Sequence, residues 1–167
     1  MQSNDRLASR LLAAAPYVAA ALLVCLKMRH LFSAEPLQGW DTIGHLHLAS
    51  VYRGLFAQLR SIGYDPGWFQ GQPAFVLYPP FFYFVVALLD LALGRLLPLA
   101  AAFNLAILLV VLLYCCAWLS LARLFLDDSH DPLTRGLLAL AGLLLPLSYP
   151  GDGLQGAGLV GVLGGTF

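Results

Sequence analysis

The chain has 167 residues, of which 60% are hydrophobic and only 11% are charged, and its mean hydropathy is +0.79. Because soluble domains carry about 25% charged residues, this composition excludes an ordinary water-soluble domain and indicates a membrane protein. The formal net charge of zero gives no electrostatic basis for binding nucleic acid. The three cysteines lie in apolar runs and form no Cys-x-x-Cys or Cys/His metal motif.

The first apolar run covers residues 11–28 and follows a polar start that contains Arg6 and Arg10. A basic start before an apolar core is also typical of a signal peptide, but no small-x-small cleavage site follows. The run is close to the roughly 20 residues that span a bilayer. We therefore predict an uncleaved transmembrane helix over 11–29, and the two arginines favour an N-terminus on the inside.

A long, less apolar region over residues 32–77 follows, and we expect it to be an external loop. Within it, the spacing of apolar residues predicts an amphipathic helix over 41–62. Six residues spaced four, three, four, three and four apart share one stripe of this helix: Asp41, His45, Leu48, Tyr52, Leu55 and Leu59.

Asp41 and His45 stand at the head of that apolar stripe, and two interpretations of them are open. Asp41 is well suited to cap the N-terminus of the helix, and His45 is then an interfacial histidine with a structural partner. Alternatively, both residues serve a function, because burying an ionisable group without a partner costs several kcal/mol.

The remainder of the loop is rich in glycine, proline and aromatic residues, which predicts turns near a membrane surface. Tyr78-Pro79-Pro80 is a good helix start, because proline is tolerated in the first turn. We predict a helix over 78–94 that either spans the membrane or lies along its surface. The surface position is favoured, because the run is short and contains Asp90.

Two further transmembrane helices are predicted over 98–124 and 134–149, and another begins within 157–167. Asn104 is the one strongly polar residue over 98–122, and it is expected to bond a neighbouring helix. The final apolar, glycine-rich stretch has no polar tail. The sequence is therefore interpreted as one transmembrane domain and as the N-terminal part of a longer protein.

The polar segment Asp127–Asp131 joins these two helices, and its three aspartates and one histidine are residue types that bind metals. A short solvated turn explains them more simply, with Asp131 as the N-cap of the helix that follows. We therefore predict that this segment is not a metal site.

The order of these features resembles the N-terminal part of the C-type glycosyltransferase superfamily (GT-C fold), closest to its multi-spanning prokaryotic branch. The residues that carry the resemblance are Trp40-Asp41-Thr42-x-x-His45-Leu46, Gly71-x-Pro73 and Tyr78-Pro79-Pro80. It implies an all-α, polytopic membrane protein with a large external loop that carries juxtamembrane helices. It also implies a location in a prokaryotic cytoplasmic membrane.

The resemblance further implies sugar transfer from a polyprenyl-phosphate donor to an acceptor on the outer face of the membrane. Asp41 would be the catalytic carboxylate, and His45 and Tyr78 would bind substrate. A divalent metal ion is a candidate cofactor, with Asp41 and Asp152 as ligands if the reaction depends on metal. The expected partners are membrane lipid and the lipid-linked sugar.

A second hypothesis is a transporter or an assembly subunit without enzymatic activity. In that case Asp41 and His45 form a structural polar pair. Further external acidic residues and a basic phosphate site would favour a transferase, whereas a repeated topology with broken helices would favour a transporter.

Overall fold

The structure is a computed structural model that describes residues 2–37, 42–68, 70–76, 79–125 and 131–148. Within these ranges it contains five α-helices, a short 3-10 helix at Arg29–Phe32 and one two-stranded antiparallel sheet. In chain order the elements are α1 (Gln2–Lys27), α2 (Thr42–Ala57), β1 (Gly63–Asp65), β2 (Gln72–Ala74), α3 (Phe81–Ala92), α4 (Leu99–Phe125) and α5 (Pro132–Ser148).

The predicted helical class is confirmed, and α4 and α5 begin within two residues of the positions expected from the sequence. In the described part of the chain, one helix is long and apolar enough to cross a membrane, at Leu99–Ala122. The apolar parts of α1 and α3 are shorter, at Leu11–Lys27 and Phe81–Ala92. The start of the further helix predicted over 157–167 lies outside the described residues.

Helix α2 ends at Ala57, five residues before the predicted end at Ile62. The chain closes it with a Schellman motif, in which Leu59 adopts a φ of 56°. The Arg60 amide donates to the Leu55 carbonyl at 3.0 Å, and the Leu59 amide donates to the Phe56 carbonyl at 3.0 Å. Leu59 therefore leaves the predicted apolar stripe and is 94% exposed. A left-handed leucine is uncommon, so nothing in the residues around Leu59 signals the end of the helix.

A β-hairpin lies between α2 and α3, where the sequence predicted only turns. Strands β1 and β2 pair in the register Gly63 to Ala74, Tyr64 to Pro73 and Asp65 to Gln72. Pro73 is tolerated because a two-stranded sheet has only edge strands. The hairpin is short, so its effect on the fold is local: it fixes the position of Asp65.

The chain divides into two compact units, which we describe separately. The three-helix unit comprises the described residues of 1–29 and 108–149, and the hairpin unit comprises those of His30–Ile107. Helix α4 contributes its first nine residues to the hairpin unit and the remainder to the three-helix unit.

In the three-helix unit, α1 and α5 approach closely at Pro16 and Gly136. A Cβ atom added to Gly136 would overlap the Pro16 ring. The Trp118 indole of α4 donates to the Ala139 carbonyl of α5 at 3.3 Å, and the hydroxyls of Tyr17 and Ser120 lie 3.1 Å apart. Small residues at a helix contact and hydrogen bonds between helices are both typical of packing in membranes.

The hairpin unit has its own apolar core, in which α2 and α3 pack against each other. The predicted stripe of α2 is confirmed for Leu48, Tyr52 and Leu55, which are all buried. The buried residues of α3 recur at helical spacing: Tyr83, Val86, Ala87 and Asp90. The Phe82 ring meets the Phe103 ring of α4 edge to face, with centroids 5.3 Å apart.

Asn104 belongs to the first part of α4 and is completely buried. Its amide nitrogen donates to the backbone carbonyls of Ser33 and Glu35, each at 2.9 Å. It therefore binds the segment after the 3-10 helix rather than a neighbouring α-helix. The carbonyls of this segment lie outside regular secondary structure, so they need other hydrogen-bond donors. The amide of Asn104 supplies these donors.

Candidate functional site

Two histidines in the first two turns of α2 are each hydrogen-bonded to a buried residue from a different element. His45 is half-buried, and its Nδ1 lies 2.7 Å from the Tyr83 hydroxyl of α3. Tyr83 is completely buried, so this bond joins the start of α2 to the core face of α3. The ring of His45 is thereby held in one orientation.

The second histidine, His47, forms a short hydrogen bond with Asp65 of β1. His47 Nε2 and Asp65 Oδ2 are 2.7 Å apart, and the Asp65 side chain is 1% exposed. The other carboxylate oxygen accepts the Gly67 amide at 2.9 Å. A buried carboxylate normally needs partners of this kind, because leaving it without hydrogen bonds is costly.

The Gly71-x-Pro73 motif explains how Asp65 reaches this position. Gly71 has a φ of 105°, which favours glycine, and a Cβ atom there would overlap the Tyr64 hydroxyl. This turn lets Gln72 pair with Asp65 across the hairpin. The motif therefore has a structural role in the hairpin unit, whatever else it does.

Trp68 covers the other side of His47. The two rings stack with centroids 5.4 Å apart and an interplanar angle of 25°. A Cβ atom on Gly44 would lie 2.6 Å from the Trp68 ring, so the indole lies directly against the α2 backbone. An imidazole held between a carboxylate and an indole face has a fixed orientation, and its hydrogen bond to the carboxylate selects one tautomer of the neutral ring.

Aromatic rings pack against Tyr83, the hydrogen-bond partner of His45. Phe75 has a φ of 63° and contacts the rings of Tyr52 and Tyr83, with centroid distances of 4.9 and 5.2 Å. Burial raises the pKa of the Tyr52 hydroxyl above its ordinary value of 10.0. A bulky residue in a left-handed conformation is retained only where packing determines it, as the two flanking rings do here.

A second polar cluster lies at the C-terminal end of α3. Asp90 is 2% exposed, and neither carboxylate oxygen has a hydrogen-bond partner. Arg53 Nη1 lies 3.8 Å from one oxygen and Arg95 Nε lies 3.7 Å from the other. These distances are too long for hydrogen bonds, so the attraction is electrostatic.

The structure describes one of the residues that the sequence assigned to catalysis and substrate binding, and this is His45. Asp41, Tyr78 and Asp152 lie outside the described residues. Asp41 is the residue directly before Thr42, which is the first residue of α2 and is buried. The expected roles of these three residues stay predictions.

The predicted capping role of Asp131 is confirmed. Its Oδ1 accepts the amides of Leu133 and Thr134 at 2.9 and 3.0 Å, and its Oδ2 accepts the Thr134 hydroxyl. These hydrogen bonds, above all that of the Thr134 side chain, lower the pKa of the Asp131 carboxyl. Asp127 and Asp128 lie outside the described residues.

Sequence reasoning missed His47, Asp65 and Tyr83 as interacting residues. Asp65 directly precedes Pro66 and Gly67, residues that predict a turn rather than a site. The available signal was the second histidine, two residues after His45. On a helix this spacing places the two rings on different faces, so the two rings cannot both face α3.

The His47–Asp65 pair is capable of acid–base chemistry. When His47 is neutral, its Nε2–H donates to the carboxylate, and Nδ1 keeps a lone pair that can accept a proton. When it is protonated, the pair becomes an ion pair. Among the described residues, no three His, Cys, Asp or Glu side chains come together as a metal ion would require.

Comparisons with known proteins add no assignment. No protein-family model matches the chain, and no curated protein or solved structure shows significant similarity to it.

Proposed function

We propose that this chain is a polytopic membrane glycosyltransferase that transfers a sugar from a polyprenyl-phosphate donor to an acceptor at the outer face. Asp41 is its catalytic carboxylate, and the start of α2 is the centre of the site. In this scheme the carboxylate removes a proton from an acceptor hydroxyl or amide. The acceptor atom then bonds to the sugar carbon that carries the lipid phosphate. The bond between that carbon and the phosphate oxygen breaks, and the lipid phosphate leaves with the electron pair.

The membrane part of the proposal is supported by the surface of the three-helix unit. Its helices expose large apolar side chains: Leu11, Leu12, Val18, Leu22 and Leu26 of α1, Leu109, Leu113, Trp118, Leu121 and Leu124 of α4, and Leu133, Leu137 and Leu138 of α5. Apolar patches of this extent are rare on soluble proteins and are expected where lipid replaces water. We therefore propose that α1 and α5 cross the membrane together with α4.

The observation that carries the transferase assignment is the fixed geometry at the start of α2. His45 and His47 are each held by a buried partner, and Asp41 directly precedes the helix in sequence. A site for group transfer needs groups that are held in place before the substrate arrives. His45 and His47, which lie close to Asp41 in the sequence, meet that requirement.

The test compares Asp41→Asn with the wild type in the full-length protein, supplied with a polyprenyl-phosphate sugar. Asparagine also caps helices well, so this variant should fold and insert normally. Loss of a general base should lower the transfer rate by about 10²–10⁴. Glu35→Gln makes the same carboxyl-to-amide change at an exposed position in the hairpin unit and should retain the wild-type rate.

Near-normal transfer by Asp41→Asn would reduce Asp41 to a helix cap. A wild-type protein that inserts but transfers no sugar from any polyprenyl-phosphate donor would instead favour a transporter or an assembly subunit.

A further inference from the structure

The cluster of Asp90, Arg53 and Arg95 is not explained by the chemistry proposed above. Asp90 lies in the last turn of α3, with its two oxygens buried and without hydrogen bonds. The two arginine side chains beside it remain 38% and 55% exposed. The cluster as a whole carries one net positive charge, because two cations flank one carboxylate.

The arginines have donors to spare. A guanidinium has five N–H groups in a rigid fork, and neither arginine forms a hydrogen bond with Asp90. The buried carboxylate holds both cations at one place by charge alone. Their forks are therefore held near each other, with exposed surface through which an outside acceptor can approach. Planar forks of this kind suit phosphate oxygens better than a single ammonium does.

Exposed apolar side chains lie on the far face of α3 and directly after Arg95. On α3, the face opposite Asp90 carries Phe81 and Leu88, which are both exposed. Directly after Arg95, Leu96 and Leu97 are also exposed. Arg95 stands four residues before α4, which is the helix long enough to cross a membrane. Arginine close to the end of a spanning helix is expected at the level of the lipid head groups.

Helix α3 is too short to cross the bilayer. Its 12 residues extend about 18 Å, compared with about 30 Å for the hydrocarbon core. A short helix with an exposed apolar face and cations at its end is suited to lie in the interface, where anionic lipid attracts it.

We infer that Arg53 and Arg95, held by the buried Asp90, form a clamp for the head-group phosphate of an anionic membrane phospholipid. The clamp rests on the membrane part of the proposed function and is independent of sugar transfer. The lipid chains lie against the exposed Leu96 and Leu97, which directly follow Arg95.

Native mass spectrometry of the full-length protein in detergent tests this inference, because it counts individual bound lipids. The probes are phosphatidylglycerol, phosphatidylcholine as the lipid without net charge, a polyprenyl phosphate, and inorganic phosphate as a competitor. Each arginine-to-glutamine change should weaken the first phosphatidylglycerol by about fivefold, equivalent to ~1 kcal/mol per cation at an anionic surface. Arg60→Gln removes the same charge from an exposed position just beyond α2 and should leave binding unchanged.

Because Arg53→Gln with Arg95→Gln leaves a buried charge without cations, this double variant can unfold. Adding Asp90→Asn to the same two changes removes that charge and keeps the test valid. Phosphatidylglycerol binding equal to wild type in the triple variant would overturn the clamp. Displacement of phosphatidylglycerol by inorganic phosphate would also overturn it. So would arginine variants that lose binding of a polyprenyl phosphate but keep binding of phosphatidylglycerol. A protein that binds no lipid and stays dispersed without detergent would overturn the membrane proposal as well.

Discussion

His47 and Asp65 are 18 residues apart in the sequence, yet His47 Nε2 and Asp65 Oδ2 lie 2.7 Å apart. The carboxylate is buried, whereas the imidazole is partly exposed. This hydrogen bond joins α2 to the hairpin. Asp65 also anchors the turn that follows it, through the Gly67 amide. The pair therefore couples the orientation of the His47 imidazole to the folding of the hairpin.

We expect Asp65→Ala to lower the free energy of unfolding by about 2 kcal/mol, because hydrogen bonds to charged groups contribute about 1.5–3 kcal/mol. Asp65→Asn should cost less, since its carbonyl oxygen can still accept one of the two bonds. SDS-induced unfolding of the purified protein, followed by tryptophan fluorescence, measures both. Equal stability of Asp65→Ala and the wild type would show that the contact does not hold the hairpin in place.

The helices could be predicted from the sequence because their signals are local. The apolar runs located α4 and α5, and the 3.6-residue period located the buried face of α2. The end of α2 could not be predicted, because it depends on Leu59 in a conformation that leucine rarely adopts. Because α2 ends early, Gly63 packs directly against Leu55. A Cβ atom on Gly63 would overlap the Leu55 side chain.

The candidate site was predicted less well than the helices. His45 was identified from its position on the stripe, but its partner Tyr83 depends on how α2 packs against α3. The position of Asp65 depends on a β-hairpin. The glycine and proline residues of that segment are uncommon in strands, so the sequence pattern did not predict it. Long-range pairing of this kind is decided by tertiary contacts. These contacts join residues far apart in the chain, so a short stretch of sequence does not reveal them.

Tyr83→Phe removes the hydroxyl that meets His45 Nδ1 and leaves the ring packing in place. We expect a loss of about 0.5–1.5 kcal/mol in the free energy of unfolding, because one hydrogen bond disappears. The imidazole should also become less ordered, which histidine-selective NMR of the ring signals would detect. Tyr64→Phe removes a hydroxyl from an exposed ring and should leave the His45 signals unchanged. Unchanged His45 signals in Tyr83→Phe would contradict the role assigned to this bond.

Gly136→Leu tests the close approach of α1 and α5. Because even a Cβ atom would overlap the Pro16 ring, a leucine must push the two helices apart. Overpacking typically costs about 1–3 kcal/mol, and we expect a loss in this range. Leu137→Ala changes the neighbouring exposed position and should have little effect. Thermal unfolding in detergent compares the two variants, and a Gly136→Leu protein as stable as the wild type would exclude the close contact.

The cap of α5 should depend on pH in a predictable direction. Hydrogen bonds from Thr134 hold the pKa of Asp131 below its ordinary value near 3.8. A carboxyl with a lowered pKa stabilises the folded state above the pKa of the unfolded chain, and this stabilisation is lost as the pH falls through the folded pKa. Amide exchange at Leu133 and Thr134 should therefore accelerate in acid below about pH 3.8. Thr134→Val should raise the pKa of Asp131, and an unchanged carboxyl titration by NMR would contradict this.

Removing the negative charge at Asp90 and removing the two arginine charges should have opposite effects on the free energy of unfolding. The carboxylate has lost its water and gained no hydrogen bond, so its burial is offset only by two partly exposed cations. Asp90→Asn removes the buried charge and leaves two arginines that water can solvate. Its free energy of unfolding should therefore lie within about 1 kcal/mol of the wild-type value, or above it.

Arg53→Gln together with Arg95→Gln should instead leave the buried charge without compensation. The cost of breaking a buried pair is about 3–5 kcal/mol, and the lower end applies here because both arginines are partly exposed. Adding Asp90→Asn to this double variant should restore most of the loss. SDS-induced unfolding of all three variants measures these differences. If Asp90→Asn destabilises the protein more than the double arginine variant does, then Asp90 has hydrogen-bond partners in the folded protein and the electrostatic account of the cluster is wrong.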